Sequence, residues 1–188
     1  MKSYLSISAI LFLVTSLGYG QTSFIENNIL QKESSIIESA ADSGYHYTLL
    51  EVVKAANLEK ILDEDGPFTV FAPSDMAFQR LSKVNLRELL LPENKQELFS
   101  LLTYHIVAGN ITASKILKAL CNGNGKASFT TVQGDKIYAS MDGLDIVLED
   151  KAGNKARITS ADASQSNGII HEIDSVILPN VLIATNLP

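Results

Sequence analysis

The segment Phe68–Leu81 constrains the fold more than any other, because an apolar strand ends within it and a helix begins directly afterwards. Pro73 ends the strand, since proline has no backbone N–H to donate to a neighbouring strand. Ser74 is a favourable helix N-cap, and Asp75 follows at the positive end of the helix dipole. The apolar positions of the segment are Phe68, Val70, Phe71, Ala72, Ala77, Phe78 and Leu81. Their spacing changes from that of a strand to that of a helix, which predicts a strand–turn–helix unit with a buried helix face.

The remaining elements predict helices first and strands later. Amphipathic spacing indicates helices at residues 35–42, 47–57, 58–62 and 112–120, with another carrying Leu98 and Leu101. Short runs between glycine-containing turns indicate antiparallel strands at residues 127–132, 136–140, 144–148 and 156–160. Leu144, Ile146 and Leu148 alternate with neighbours expected to face water, so the sheet should have one wet face. This order of elements predicts an α+β fold class.

The first twenty residues have the composition of a cleaved secretory signal. Lys2 precedes an apolar run from Ile7 to Leu17, and the small residues Gly18 and Gly20 follow at the positions that a signal peptidase reads. The run is about half of the ~20 residues that a bilayer span needs, so a transmembrane anchor is the weaker interpretation. We therefore expect a signal peptide at 1–20, a linker at 21–34, one domain at 35–180 and a short tail at 181–188. The mature protein is expected to be extracellular or periplasmic, without a transmembrane segment.

Charge and cysteine content exclude several classes of partner and of stabilising bond. The formal net charge is −6, which argues against nucleic acid and anionic membranes as partners. A single cysteine, Cys121, allows no internal disulfide, so stability must come from packing. Cys121 follows apolar residues at the end of a predicted helix, and we expect a half-buried thiol rather than a nucleophile.

The three histidines do not have the spacing of a metal site. No pair among His46, His105 and His171 is four residues apart, as on a helix-borne site. His46 is expected at the surface where a helix starts, and His105 in the core with its ring bonded to the backbone. The acidic turn at 63–67 lacks the alternating ligands of a calcium loop. No glycine-rich phosphate loop follows a strand, so neither a metal nor a cofactor is expected.

Three motifs in register identify a resemblance to the fasciclin domain family, which runs from about Ser35 to Pro179. They are Phe-Thr-Val-Phe-Ala-Pro-Ser-Asp-Met-Ala-Phe from Phe68, the pair Tyr104-His105, and Asn-Gly-Ile-Ile-His-Glu-Ile-Asp-Ser-Val-Ile-Leu-Pro from Asn167. The motif residues to which we assign a structural role are Phe71, Ala72, Pro73, Ser74, Asp75, Ala77, Phe78, Asn167, Gly168, His171, Asp174, Leu178 and Pro179.

The resemblance implies a wedge of antiparallel β-sheets with N-terminal and central helices, in which the two long motifs form adjacent strands. It also implies a secreted or surface-held adhesion and matrix module without enzymatic activity. In animal matrix members, receptor binding has been linked to the region around the Tyr-His pair and to a nearby Asp-Ile or Asp-Leu pair. The corresponding partner-binding residues here are Tyr104, His105, Ile106, Lys115 and Ile116. Lys115 stands where the acidic residue would be, and Ala108 replaces a frequent proline, so the second pair does not match.

Two functions remain open. The first is a noncatalytic module that binds an extracellular protein or polysaccharide through the surface near Tyr104 and the segment 111–117. The second is a secreted hydrolase that uses His105 or His171 with a serine or Cys121, which requires nucleophile and base within hydrogen-bond reach. Asp174 lies on the opposite strand face from His171, so the sequence favours the binding module.

Overall fold

The structure of the chain is a computed structural model that describes residues 34–64, 66–81 and 86–185. The predicted signal peptide and almost all of the predicted linker lie outside the described residues. The helices are α1 (Ile36–Ser43), α2 (Tyr47–Ala55), α3 (Glu59–Glu64), α4 (Asp75–Gln79), α5 (Leu86–Leu89), α6 (Lys95–Tyr104), α7 (Ala113–Asn122) and α8 (Asn180–Thr185), with a 3₁₀ turn at Pro92–Asn94. The strands are β1 (Phe68–Pro73), β2 (Ile106–Ala108), β3 (Lys126–Thr130), β4 (Lys136–Asp142), β5 (Asp145–Glu149), β6 (Lys155–Gln165) and β7 (Gly168–Ile173).

The seven strands form one sheet in the order β2-β1-β7-β6-β5-β4-β3. This confirms the α+β class and places the two long motifs side by side, with Phe71 opposite His171. The pairing of β1 with β7 is parallel, and the other pairings between neighbouring strands are antiparallel. The sheet is therefore mixed rather than wholly antiparallel. Its two edges approach each other, since Val132 N donates to Ile106 O at 2.9 Å, and the sheet forms a near-barrel.

The central strand β1 is buried on both faces because it separates two apolar cores. Val70 and Ala72 face a core formed with helices such as α2 and α6. Phe71 faces the second core, which lies inside the curled sheet and contains Ile116 and Ile173. Alternate residues of a strand point to opposite faces, so the apolar run of β1 supplies both cores at once.

Local sequence accounts for the starts of two helices next to this strand. Ser35 and Glu38 form a capping box at the start of α1. Ser74 caps α4 by accepting from Ala77 N at 3.3 Å, as predicted. The Asp75 carboxylate accepts the N–H groups of Thr48 and Tyr47 at the start of α2. Burial alone would raise the pKa of Asp75, but these hydrogen bonds outweigh it and lower the pKa.

Strand β5 differs from its predicted alternation. Leu144 is 96% exposed in the hairpin turn, whereas Val147, expected to face water, is buried. Val147 pairs with Arg157 on β6, and the Arg157 guanidinium reaches Asp145 at 2.8 Å, two residues back on the same face. The aliphatic stem of Arg157 therefore covers Val147 while its charged end stays in water.

The C-terminal segment continues the domain. Residues 181–185, predicted to form a short tail, belong to α8, and Leu182 is buried in the helical core. Within the described residues, no helix is long and apolar enough to cross a membrane.

Candidate functional site

Tyr104 ends helix α6 inside the protein. Its side chain is only 2% exposed, and its hydroxyl donates to Lys136 O at 2.9 Å. Burial raises the pKa of Tyr104 well above its usual range, so the phenol stays neutral. Its hydroxyl therefore links α6 to strand β4, and its side chain is almost inaccessible from outside.

His105 is a core histidine, as expected, but the backbone satisfies only one of its ring nitrogens. Its Nδ1 lies 2.8 Å from Leu101 O, and a carbonyl can only accept, so we assign the proton to Nδ1. Its Nε2 is buried and has no hydrogen-bond partner within the described residues. The ring borders a small apolar void of about 20 Å³ between α1, α2 and α6. Burial lowers the pKa of His105 to about 4, although the hydrogen bond to Leu101 opposes this shift.

The five predicted partner-binding residues lie at very different depths. Ile106 and Ile116 are buried, like Tyr104 and His105, whereas Lys115 is exposed. Ile116 faces the second core because it lies on the inner side of the amphipathic helix α7. Only the outer side of this region can touch a partner directly. We call this surface the α7 face and define it by its exposed residues Asn110, Ser114, Lys115, Leu117 and Lys118.

The loop that leads into α7 is held by His171 of the third motif. The His171 ring is fully buried and stacks on Phe71, with ring centroids 5.6 Å apart. Its Nε2 lies 2.8 Å from Ile111 O, and its Nδ1 accepts from Asp162 N at 3.2 Å. These two partners assign the proton to Nε2. Asp162 Oδ1 in turn accepts from Ala113 N at 2.8 Å, so the β6 bulge also holds the start of α7.

Thr69 of the first motif holds the same loop from β1. Its hydroxyl donates to Gly109 O at 2.6 Å and accepts from Ile111 N at 2.8 Å. Thr69 and His171 therefore hold the loop Gly109–Thr112 from the two parallel strands. Sequence reasoning did not single out Thr69 or Asp162. A threonine within an otherwise apolar, buried strand was the available signal, because a buried hydroxyl needs a partner.

The remaining motif residues have packing roles. Asn167 Oδ1 accepts from Ile36 N at 3.0 Å and its amide donates to Leu62 O at 2.6 Å, which joins α1, α3 and β7. A side chain at Gly168 would collide with the Phe68 carbonyl oxygen. The other motif residues that are buried and contribute to packing are Ala72, Pro73, Ala77, Phe78, Leu178 and Pro179.

His46 is not a surface residue, although it does stand at the start of α2, where its side chain makes no capping hydrogen bond. It is 5% exposed. Its Nδ1 lies 3.2 Å from Pro73 O and its Nε2 lies 3.9 Å from a Glu172 carboxylate oxygen. The end of β1 and the edge of β7 therefore cover the ring, a tertiary contact that the local sequence does not encode.

The predicted hydrolase residues do not come together. Both ring nitrogens of His171 are engaged by backbone groups, and the Nδ1 of His105 is bonded to Leu101. Cys121 is exposed on the last turn of α7 rather than half-buried. Asp174 accepts from Arg157 N at 2.8 Å. In the part of the chain that the structure describes, no group of three or more His, Cys, Asp or Glu residues could hold a metal ion.

Comparisons with known proteins agree with the motifs. A family model described as the fasciclin domain matches residues 44–179. The protein sll1483 of Synechocystis is 43% identical over 146 residues, which cover 77% of this chain and 73% of that protein. The transforming growth factor-beta-induced protein ig-h3 of Sus scrofa is 32% identical over 70% of this chain, which spans only 17% of that protein. Among solved structures, a domain pair from the insect cell adhesion molecule Fasciclin I matches with a TM-score of 0.68 and 18% identity. That match covers 80% of this chain and 52% of the solved chain.

Proposed function

The chain belongs to the fasciclin domain family, and from this membership we propose that it is a secreted, noncatalytic adhesion module. It attaches to an extracellular protein or polysaccharide through the α7 face. Secretion depends on the predicted signal peptide at 1–20. The absence of catalysis is part of the proposal and is supported by the backbone partners of both His171 ring nitrogens and of His105 Nδ1, while Cys121 is exposed on α7.

One observation carries the choice of surface. Thr69 and His171 lie on the two motif strands, and both direct their polar atoms at the loop Gly109–Thr112. Thr112 then caps α7 by accepting from Lys115 N at 3.2 Å. The Lys115 ammonium also donates to Asn110 O at 2.5 Å. The buried motifs thereby give the exposed α7 face a fixed shape, and a preordered surface loses less entropy when it binds.

The test is attachment of the producing organism's cells to surfaces coated with purified protein, together with binding to a panel of extracellular polysaccharides. The variant combines Lys115→Glu with Lys118→Glu, which reverses two exposed charges without touching the core. We expect attachment to fall at least tenfold, because charge reversal at the contact both removes attraction and adds repulsion.

The matched control combines Lys54→Glu with Lys95→Glu, two exposed lysines on α2 and α6 whose substitution makes the same change in net charge away from α7. It should leave attachment unchanged. Equal attachment by the double variant and the native protein would refute the α7 face as the binding surface. Labelling of a serine or of Cys121 by broad hydrolase probes, with turnover of a test ester, would refute the noncatalytic role.

A further inference from the structure

A polar cleft lies at the carboxyl ends of the parallel strands β1 and β7. The chain leaves β1 into α4 and leaves β7 into the segment 174–178, and parallel strands deliver both segments to one edge of the sheet. Strand β6 begins at Lys155 at the same edge, because it runs antiparallel to β7 with Ile158 opposite Ile173. Crevices at the carboxyl ends of parallel strands are common ligand sites. This cleft shares no residue with the α7 face.

The cleft has a volume of about 220 Å³ and two kinds of lining. Arg80, Lys155, Asn154 and Ser175 supply cationic and hydrogen-bonding groups. Val176 and Leu178 supply apolar walls with Ala77. Pockets for drug-sized ligands measure roughly 300–1,000 Å³, so this cleft suits a ligand of about one sugar ring. Its apolar wall can pack against the C–H face of such a ring while the polar groups bind its substituents.

A buried carboxylate fixes two walls of the cleft. Asp150 is buried and accepts from Asn154 N at 2.9 Å and from the Asn154 side-chain amide at 2.7 Å. It also accepts from Leu178 N at 2.9 Å. The turn between β5 and β6 is thus tied to the segment that follows β7. Because these three N–H groups all bind the one carboxyl group, the turn and the segment after β7 hold each other in place, and the cleft keeps its shape without a ligand.

The charges at the cleft favour an anion, although the whole chain is acidic. The Arg80 guanidinium makes no ion pair with any residue of the described ranges. Lys155 Nζ lies 3.8 Å from Glu149 Oε2, but its side chain is 64% exposed, so this pair holds it only weakly. Asp174, the neighbour of Ser175, is engaged by Arg157 N. Of the residues that the structure describes, the charged ones that line the cleft are therefore the two cations Arg80 and Lys155, whereas the carboxylates of Asp150, Asp174 and Glu149 are not part of the lining.

We propose that this cleft binds a uronate, a sugar ring with a carboxylate, either free or as one unit of an acidic polysaccharide. Arg80 and Lys155 bind the carboxylate, Asn154 and Ser175 hydrogen-bond ring hydroxyls, and Val176 and Leu178 pack against the ring. The inference rests on the cleft alone and does not depend on the α7 face.

The test is an amide NMR titration of the purified protein with galacturonic acid and with its linear trimer. Saturable shifts are expected at the amides of Asn154, Ser175 and Leu178, and affinity should fall as salt is added. Arg80→Gln and Lys155→Gln should each weaken binding about tenfold, as expected for loss of one charge-assisted contact. Lys54→Gln, at an exposed position of α2 outside both the cleft and the α7 face, is the matched control and should bind normally.

The comparison ligands separate the possible sources of binding. If the trimer binds more tightly than the monomer, the ligand is a polysaccharide, and if the two bind equally, the ligand is the free acid. Either result supports the site. Equal binding of galactose would refute carboxylate recognition, and equal binding of acetate would refute recognition of the sugar. Absence of shifts at millimolar ligand, or unchanged affinity in both cleft variants, would overturn the proposal. Because Lys115 is not in the cleft, failure here is distinguishable from failure of the α7 face.

Discussion

Replacing Phe71 with alanine should destabilise the whole domain. Phe71 is fully buried in the core inside the curled sheet, where its ring stacks on His171. Its removal therefore deletes contacts with a side chain that also holds the loop before α7. Replacing a buried phenylalanine with alanine costs about 3–5 kcal/mol, because apolar contact is lost and a cavity is left.

The expected shift in melting temperature follows from the size of the domain. Each kcal/mol lowers the melting temperature of a domain of this size by roughly 2–4 °C, so Phe71→Ala should lower it by roughly 10 °C. A domain whose total stability is about 5 kcal/mol would keep only about 0–2 kcal/mol, so at the upper end of this loss about half of the molecules would be unfolded at room temperature. Urea unfolding followed by circular dichroism measures the free energy directly, and thermal unfolding measures the shift.

The chain offers a matched control in Phe99→Ala. Phe99 lies on α6 and is 42% exposed, so the same substitution removes less buried surface and leaves no closed cavity. We expect a loss of no more than about 1 kcal/mol for this variant. If both variants lost the same free energy, or if Phe71→Ala melted at the native temperature, the assignment of β1 as the packing centre would be wrong.

Two further predictions concern the buried histidines. Because the folded pKa of His105 is about 4 and its ordinary value is 6.5, the unfolded chain binds more protons, and stability is lost as pH falls through this window. The loss due to His105 should be about 2 kcal/mol between about pH 7 and about pH 5. Urea unfolding should show a smaller pH dependence in His105→Gln, and an unchanged one would contradict the assignment. His171→Ala should accelerate amide hydrogen exchange at Asp162, because the Asp162 N–H loses its acceptor. The control variant His46→Ala should leave that exchange rate unchanged. Protection of the Asp162 amide in both variants would show that His171 does not hold this loop.

The sequence was sufficient where local chemistry determines the structure. Pro73 lacks a backbone N–H and Ser74 caps the following helix, and in the structure β1 ends at Pro73 and α4 begins at Asp75. The adjacency of the two long motifs followed from the family resemblance and not from periodicity. The parallel direction of that pair was missed, because β1 and β7 are far apart in sequence and both are apolar on two faces, which alternation cannot resolve.

Sequence reasoning failed where a distant side chain covers a residue. Val147 is buried because Arg157, from the next strand, extends across its face towards Asp145. His46 is buried because Pro73 and Glu172 approach it from strands remote in sequence. Cys121 is exposed because α7 turns Ile116 and Leu120 inward and leaves the cysteine on the outer side of the last turn. Helical periodicity alone could have oriented Cys121, whereas the other two required the tertiary structure.

The burial of the Tyr104-His105 pair changes where specificity must be sought in this protein. A motif can identify a family because it fills the core, and both side chains are almost inaccessible here. Their substitution would alter binding only indirectly, through the positions of α6 and of β2. The exposed Lys115 and Leu117 lie on a helix whose inner face, represented by Ile116, is fixed by packing. Exposed positions can change without cost to the fold, so a binding preference particular to this chain should reside in them and not in the motif that identifies the family.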